Sequence, residues 1–190
     1  IEHYPQLLKQ TLLESTDVAN PVIVVLTPGH FNSAFYEHAF LAREMDVPLV
    51  GAKDLFVEKG KVFLKSIKGR MQVDVIYRRL DDDFVDPLAF RSDSILGIAG
   101  LMSAYRNRTV VIANAPGTGV ADDKSIYPYV DEMIRYYLYE QPILKNVPTY
   151  QCRKADELDY VLANLEKLVV KEAQGSGGYG MLIGPQAEAE

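Results

Sequence analysis

The feature that most constrains the fold is a continuous apolar run, Val22 to Leu26 (VIVVL). An unbroken apolar run of this length is typical of a parallel strand that is buried on both faces of its sheet. Two further strands are predicted over Val73 to Tyr77 (VDVIY) and Thr109 to Ala113 (TVVIA). Helical segments alternate with these strands, so the sequence predicts an α/β layer of the doubly wound type, with a Rossmann-like parallel sheet.

The remaining predicted elements follow from apolar spacing and from turn residues. We expect helices over Tyr4–Glu14, from Asn32 or Ser33 to about Met45, and over Ile95–Tyr105, Ser125–Tyr139 and Lys154–Lys167. We expect a short strand over Pro48–Val50 and a hairpin over Leu55–Lys65, turning at Lys59-Gly60. In the helix that ends near Met45, either Asn32 or Ser33 is expected to cap the amino end. Its predicted inner face consists of Phe35, Ala39, Phe40 and Ala42.

Composition excludes several classes of protein. The 190 residues are 48% hydrophobic and 24% charged, as in soluble globular domains, and the net charge is −6. An acidic chain is a poor match for nucleic acid, whose phosphates require a basic surface. No apolar run approaches the roughly 18 residues of a membrane span. Cys152 is the single cysteine, so no internal disulfide is possible and the expected setting is reducing and cytoplasmic. The sequence places no partner base beside Cys152, so it is expected to be structural.

A glycine-rich segment, Leu168 to Gly184, carries the strongest functional signal. Its Gly175-x-Gly177-x-x-Gly180 spacing matches the dinucleotide fingerprint, but that fingerprint needs a helix to follow it. Met181 to Ile183 is apolar and precedes Gly184-Pro185, so we predict strand, glycine turn and strand. Backbone N–H groups in such a turn can bind phosphate oxygens, and Lys171 supplies a positive charge beside them. The alternative is a tight surface hairpin without a ligand.

Two other regions of the chain are candidates for ligand contacts. Lys124 follows Asp122 and Asp123 at a predicted helix start, where a lysine is mildly unfavourable; a solvated charge cluster is the alternative. His30, Asn32 and Ser33 follow the first buried strand and precede a helix, which makes them a candidate anion or substrate site.

Arg78 and Arg79 end the second buried strand, where ligands of open α/β sheets collect. One of the two arginines could clamp a substrate carboxylate or stabilise a transferring phosphoryl group, which makes both candidates for catalysis. A salt bridge to Asp81, Asp82 or Asp83 is the alternative. These aspartates also suggest a metal site, although three adjacent carboxylates cannot all face one ion.

Together these segments resemble the ATP-grasp fold, and more closely its circularly permuted type 2 branch, which is similar to glutathionylspermidine synthase. The segments are VVLTPGHFNSAFYEHAFLAREM (24–45), VDVIYRRLDDDFVDPLAFR (73–91), NAPGTGVADDKSIYPYV (114–130) and the glycine hairpin. The resemblance implies a pre-ATP-grasp-like α/β domain over residues 1–114. It implies a partial ATP-grasp nucleotide-binding subdomain of α+β type over residues 115–190.

The resemblance further implies an ATP-dependent carboxylate–amine ligase. ATP would bind with Mg²⁺, and Lys124 and Lys171 would hold its phosphates. The residues Gly175, Ser176, Gly177, Gly178, Tyr179 and Gly180 would close over them. A small-molecule or peptide carboxylate would become an acylphosphate, and an amine would capture it.

Two departures from the family pattern stand out. Glu172 follows Lys171 where many members have proline. The family's metal ligands and adenine contacts would lie outside residues 1–190, so we expect this chain to be a central fragment. It would depend on the remainder of a parent polypeptide and be inactive alone.

Two other classes of function remain as alternatives. One is a non-catalytic nucleotide-binding or interaction module of α/β type. The other is a kinase-like phosphotransferase, although no HRD- or DFG-like segment occurs in the sequence.

Overall fold

The structure is a computed structural model that describes residues 3–67, 69–175, 177–178 and 180–187. The chain forms two compact units, and the division between them falls between Gly117 and Thr118. The part before the division is called the first unit and the part after it the second unit. No helix in the described ranges is long and apolar enough to cross a membrane.

The described helices of the first unit are α1 (Tyr4–Glu14), α2 (Phe35–Glu44) and α3 (Leu101–Arg106). Its described strands are β1 (Ile23–Leu26), β2 (Leu49–Val50), β3 (Leu55–Glu58), β4 (Lys61–Ser66), β5 (Gly69–Gln72), β6 (Val75–Arg78) and β7 (Val111–Ala113).

A parallel sheet with the order β2-β1-β6-β7 forms the centre of the first unit, as the sequence predicts. Successive side chains of β1 point to opposite faces. Val24 and Leu26 pack into one apolar cluster, and Ile23 and Val25 pack into another. Because both faces are covered, β1 has no polar face, which explains its unbroken apolar run.

A second, antiparallel sheet has the order β3-β4-β5. The predicted turn at Lys59-Gly60 is confirmed: Glu58 pairs with Lys61, and the two turn residues have φ values of 49° and 73°. Two consecutive residues with positive φ define the tight turn that suits a twisted hairpin. Strand β5 was not predicted.

Helix α2 differs in detail from its prediction. It begins at Phe35, and neither Asn32 nor Ser33 caps it, because its N-cap is Ala34 without a side-chain hydrogen bond. The predicted inner face is also wrong apart from Ala42, since the buried residues are His38, Leu41, Ala42 and, just after the helix, Met45. These positions form an i, i+3, i+4, i+7 stripe, and its first member is a histidine, which apolar periodicity does not count.

Helix α3 is shorter than predicted. The helix expected to begin at Ile95 starts at Leu101 instead, because two glycines fix the preceding chain in another conformation. A Cβ on Gly97 would lie 2.0 Å from the carbonyl oxygen of Phe84, and Gly100 has a φ of 85°. Neither position is compatible with a continuous helix in this packing.

The described helices of the second unit are α4 (Val130–Met133) and α5 (Ala155–Ala163), and its strands are β8 (Val169–Val170) and β9 (Leu182–Ile183). The helix predicted over Ser125–Tyr139 is divided into a 3₁₀ turn, α4 and a π-helical turn over Ile134–Leu138. Strand β8 pairs antiparallel with β9, so the predicted strand, turn and strand are confirmed.

The second unit buries little of its apolar surface. Among its described residues only Gln151, Val161 and Gly184 are buried. The helix predicted to run to Lys167 ends as α5 at Ala163, and Leu162 within it is 62% exposed. The core of the described chain therefore lies in the first unit.

Candidate functional site

Lys124 joins the start of the second unit to the glycine-rich segment. Its backbone N–H donates to the carbonyl oxygen of Ala173 at 3.0 Å, and its ammonium group donates to the carbonyl oxygen of Gly175. The preceding Asp123 accepts a hydrogen bond from the backbone N–H of Ser125 at 2.8 Å. Hydrogen bonds from Ser125 hold the pKa of Asp123 below its usual value. Lys124 thus lies beside the predicted phosphate loop although it is 51 residues away in sequence.

Both candidate lysines line one cleft of about 960 Å³ within the second unit. Besides Lys124 and Lys171, the charged residues that line it are Arg153, Lys167, Asp122 and Asp123. Cations therefore outnumber carboxylates by four to two, and the rest of the lining is largely apolar. The volume is within the range of small-molecule sites, and the charge balance favours an anionic ligand.

One wall of the cleft is a polar network that the sequence did not reveal. Gln151 is 7% exposed, and its side chain donates to the carbonyl oxygen of Ser125 at 3.4 Å. Arg153 donates to the side-chain oxygen of Gln151 at 2.7 Å and to the hydroxyl of Tyr129 at 3.0 Å. Hydrogen bonds with Gln151 and then Arg153 hold the pKa of Tyr129 below its usual value. The network connects the segment after Lys124 to the irregular segment before α5 by hydrogen bonds. No sequence pattern in that irregular segment indicates that Gln151 is buried.

Cys152 lies in the same wall. It was expected to be structural, but its thiol is exposed and lines the cleft. Its side chain belongs to neither apolar cluster of the described residues, so apolar packing does not explain why a cysteine occupies this position.

The glycine turn has the backbone that the sequence predicts. The described glycines Gly177, Gly178 and Gly180 have φ values of 64°, 82° and 62°, in the region that non-glycine residues rarely adopt. Ser176 and Tyr179, also predicted to contact phosphate, lie outside the described residues.

Glu172, the departure from the family's lysine–proline pair, packs against the end of this turn. A Cβ on Gly180 would lie 2.3 Å from the carboxyl group of Glu172. The side chain of the exposed Glu172 therefore lies in the space beside Gly180 and would have to move if position 180 carried a Cβ.

In the first unit, Arg78 and Arg79 have different surroundings. Arg78 is 7% exposed and donates to the carbonyl oxygens of Leu80, Asn114 and Ala115, the last two at 2.7 and 3.3 Å. It also forms an ion pair with Asp82 at 2.7 Å. The structure therefore contains the salt bridge that was the alternative interpretation of Arg78.

Arg79 forms an ion pair with Glu37 and keeps a quarter of its side chain exposed. Its guanidinium carbon lies 6.0 Å from the centre of the Tyr77 ring. Of the two arginines, Arg79 is the one with a guanidinium group open to a ligand, and catalytic roles for both remain predictions.

The loop after β1 carries the predicted substrate residues His30, Asn32 and Ser33, and all three are exposed. The side-chain oxygen of Asn32 accepts a hydrogen bond from the backbone N–H of Ala34 at 2.9 Å. Their role in substrate binding stays a prediction.

The buried residue His38 anchors this loop. Its Nδ1 lies 2.9 Å from the hydroxyl of Thr27, which also accepts a hydrogen bond from the N–H of Gly29 at 3.2 Å. Burial, and then the nearby Arg79, lower the pKa of His38. Sequence reasoning missed this pair, because a histidine within an amphipathic helix carries no signal of its partner.

A metal site is not formed by the residues that the structure describes, since no group of three His, Cys, Asp or Glu side chains is placed to hold an ion. In the aspartate triplet, Asp82 pairs with Arg78 and accepts a hydrogen bond from the N–H of Gly117 at 2.7 Å. Asp82 is therefore committed to contacts within the protein.

Comparison with known proteins gives a consistent match along the whole sequence. A protein of Synechocystis sp. is 56% identical over 192 residues, which cover 100% of this chain and 40% of the relative. A protein of Mycobacterium tuberculosis is 50% identical over 189 residues, which cover 98% of this chain and 34% of the relative. A protein of Frankia alni with the name "Putative glutamate--cysteine ligase 2-3" is 45% identical over 187 residues, covering 97% of this chain and 22% of the relative.

The chain thus spans less than half the length of these relatives. The family described as "A circularly permuted ATPgrasp" matches residues 1–190. The parallel sheet and the strand–glycine turn–strand of the second unit are consistent with that match. The chain belongs to the circularly permuted ATP-grasp family.

Proposed function

We propose that this chain is part of an ATP-dependent ligase that joins a carboxylate to an amine through an acylphosphate. The observation that carries the proposal is the cleft shared by Lys124 and Lys171, beside a glycine turn with positive φ values. The ligase name of the Frankia alni relative agrees with it, because joining glutamate to cysteine forms an amide.

In this proposal the second unit binds the phosphates of ATP. Lys124 and Lys171 neutralise phosphate charge, and the backbone N–H groups of Gly175, Gly177, Gly178 and Gly180 donate to phosphate oxygens. Ser176 and Tyr179 belong to the same proposed loop. When a nucleotide binds, the ammonium group of Lys124 exchanges the carbonyl oxygen of Gly175 for a charged phosphate oxygen. A hydrogen bond between two charged groups is the stronger one, so this exchange favours binding.

The proposed chemistry proceeds in two balanced steps. A substrate carboxylate oxygen bonds to the γ-phosphorus while the bond to the leaving oxygen of ADP breaks. The amine then bonds to the carbonyl carbon, inorganic phosphate leaves, and the amine nitrogen loses a proton. Phosphoryl transfer of this kind depends mainly on positioning and charge neutralisation, which is what two lysines and a row of N–H groups provide.

The remaining components of the site are also proposals. We assign the first unit to a pre-ATP-grasp-like layer in which Arg79, Arg78, His30, Asn32 and Ser33 contact the substrates. Mg²⁺ accompanies ATP in our proposal, but the described residues do not form a set of ligands for it.

Nucleotide binding tests the proposal most directly. We expect Lys124→Ala and Lys171→Ala in the full-length protein each to weaken ATP binding about tenfold or more, because each removes a charged hydrogen bond worth about 1.5–3 kcal/mol. Lys145→Ala is the matched control, since Lys145 is exposed in the same unit and does not line the cleft. Unchanged affinity in both cleft variants, measured by calorimetry, would refute the assignment of the cleft.

A second measurement separates the ligase from a non-catalytic binding module. ADP release by the full-length protein is screened against amino acids, peptides and polyamines, singly and in acid–amine pairs. A ligase releases ADP and forms an amide product with at least one pair. ATP binding without ADP release for any pair would favour the non-catalytic module.

A further inference from the structure

A small polar cleft of about 220 Å³ lies in the first unit, away from the residues assigned to ATP or substrate. Its lining includes Lys61, Gln72, Asp74, Arg108 and Thr109. Asp74 directly precedes β6 and Thr109 lies two residues before β7, so the cleft is at the amino ends of these parallel strands. The proposed substrate residues lie at the opposite, carboxyl ends.

Hydrogen bonds connect three of the polar side chains that line this cleft. The carboxylate of Asp74 accepts hydrogen bonds from the N–H of Val22 at 2.9 Å and from the amide of Gln72 at 3.1 Å. The amide oxygen of Gln72 in turn accepts one from the ammonium group of Lys61 at 3.1 Å. Two neutral donors therefore stabilise the carboxylate of Asp74, whereas two N–H groups of Lys61 have no partner among the described residues and are available to a ligand.

Arg108 is the second cation of this cleft, and it is exposed just after the end of α3. The N–H of Thr109 donates to Ala104 and the N–H of Arg108 donates to Tyr105, the two hydrogen bonds of a Schellman helix end. Arg108 has the left-handed φ of 56° that this motif favours for glycine. Among the described residues its guanidinium group has no hydrogen-bond or ion-pair partner, so its donors are available to a ligand.

A neighbouring turn adds positive charge. The hydroxyl of Thr109 donates to the carbonyl oxygen of Gly60 at 2.5 Å, which holds the Lys59-Gly60 turn against the end of α3. Lys59 and Arg106 flank the two cations of the cleft along the chain. Asp74 is the only acidic residue among those that line the cleft.

We propose that this cleft binds a small oxyanion with two negative charges, such as a phosphate or a dicarboxylate. The planar guanidinium group of Arg108 can donate two parallel hydrogen bonds to such a group, and the free N–H groups of Lys61 add a second charge-assisted contact. The volume is below that of ordinary nucleotide-sized sites, so the ligand is small. This binding does not depend on the proposed ligase activity.

The test is an NMR titration of the ¹⁵N-labelled 190-residue chain, followed at the amides of Gly60 and Thr109. Lys124→Ala and Lys171→Ala are introduced to remove anion binding in the second unit. Inorganic phosphate and malonate are added in separate arms at pH 8 and constant ionic strength, with chloride as the reference. We expect saturable shifts at both amides in at least one arm, and the arm that saturates identifies the form of the ligand.

Arg108→Gly distinguishes a binding residue from a structural one. We expect binding at least tenfold weaker but an unchanged or higher Tm, because glycine adopts the left-handed conformation more readily. Arg108→Asn gives the same comparison with a second residue that tolerates this conformation. Arg43→Ala, an exposed arginine elsewhere in the first unit, is the control and should leave affinity unchanged.

The proposal is overturned if neither anion gives saturable shifts at Gly60 and Thr109. It is also overturned if both Arg108 variants bind as tightly as the parent chain. Nucleotide binding in the second unit is measured separately, so its failure leaves this test unaffected.

Discussion

Replacing Asp86 with asparagine is expected to destabilise the first unit strongly. Asp86 is 1% exposed, and its carboxylate accepts hydrogen bonds from the backbone N–H groups of Leu88, Gly100 and Met102 at 2.9, 3.1 and 2.9 Å. Helix α3 has no side-chain cap at its own N-cap residue, Gly100. Asp86 therefore caps α3 from 14 residues away and holds the intervening loop in place.

The magnitude follows from the number of donors. In Asp86→Asn one oxygen remains, which can retain Leu88 and Gly100, while the NH₂ group faces the N–H of Met102. One buried donor is then unpaired at a cost of about 1–3 kcal/mol, and the other two lose a charged acceptor, so we expect about 2–4 kcal/mol. With roughly 2.1 cal/mol/K per residue, a 117-residue unit has an unfolding entropy of about 0.25 kcal/mol/K. The predicted decrease in Tm is therefore about 8–16 °C.

Calorimetry of the wild type, Asp86→Asn and Asp86→Ala tests this prediction. Alanine removes all three acceptor contacts, so it should destabilise more than asparagine does. Asp93→Asn is the matched control, because Asp93 is exposed and, within the described ranges, forms an ion pair with the exposed Arg91 alone. Its effect should stay below about 0.5 kcal/mol. A Tm of Asp86→Asn within about 2 °C of wild type would refute the reasoning, since that corresponds to no unpaired buried donor.

Two further predictions concern the site residues. Gly180→Ala should weaken ATP binding more than Gly178→Ala, because both glycines have positive φ but a Cβ at position 180 also collides with Glu172. Adding Glu172→Ala should remove the difference in affinity between the two variants, and an unchanged difference would contradict the proposed packing. Burial lowers the pKa of His38, so the unfolded chain binds a proton at this histidine more readily than the folded chain does. The contribution of the neutral His38 side chain to the free energy of unfolding is therefore present above about pH 6.5 and is lost as the pH falls below that value. In a His38→Phe variant the decrease in stability between pH 7 and 5, followed by urea unfolding, should be smaller than in the wild type, and an equal decrease would exclude His38 as its source.

Much of the first unit could be predicted because its signals are local. A strand with both faces buried must be apolar at every position, as in β1, and such a run is visible without a structure. The Lys59-Gly60 turn was predicted for a similar reason, because a short glycine-containing segment between two strand-like runs marks a hairpin. The strand, glycine turn and strand near Lys171 follow the same logic.

Features that depend on distant partners could not be predicted. The inner face of α2 was wrong because His38 is buried through its contact with Thr27, and apolar periodicity counts no histidine. The helix before Leu101 was wrong because Gly97 packs against the backbone of Phe84. The glycines at 97 and 100 disfavour a helix there, but the residues around Gly97 do not specify its contact with Phe84, and those around His38 do not specify its contact with Thr27.

Local patterns of apolar residues and glycines were sufficient to predict the parallel sheet and the glycine turn. The combined motifs also predicted the resemblance to a family that the match over residues 1–190 confirms. The contacts of Arg78 with carbonyl oxygens and Asp82, and the position of Lys124 beside Gly175, are visible in the folded chain alone. Hydrogen bonds and ion pairs between distant residues depend on how the chain brings them together, and residue order does not specify that geometry.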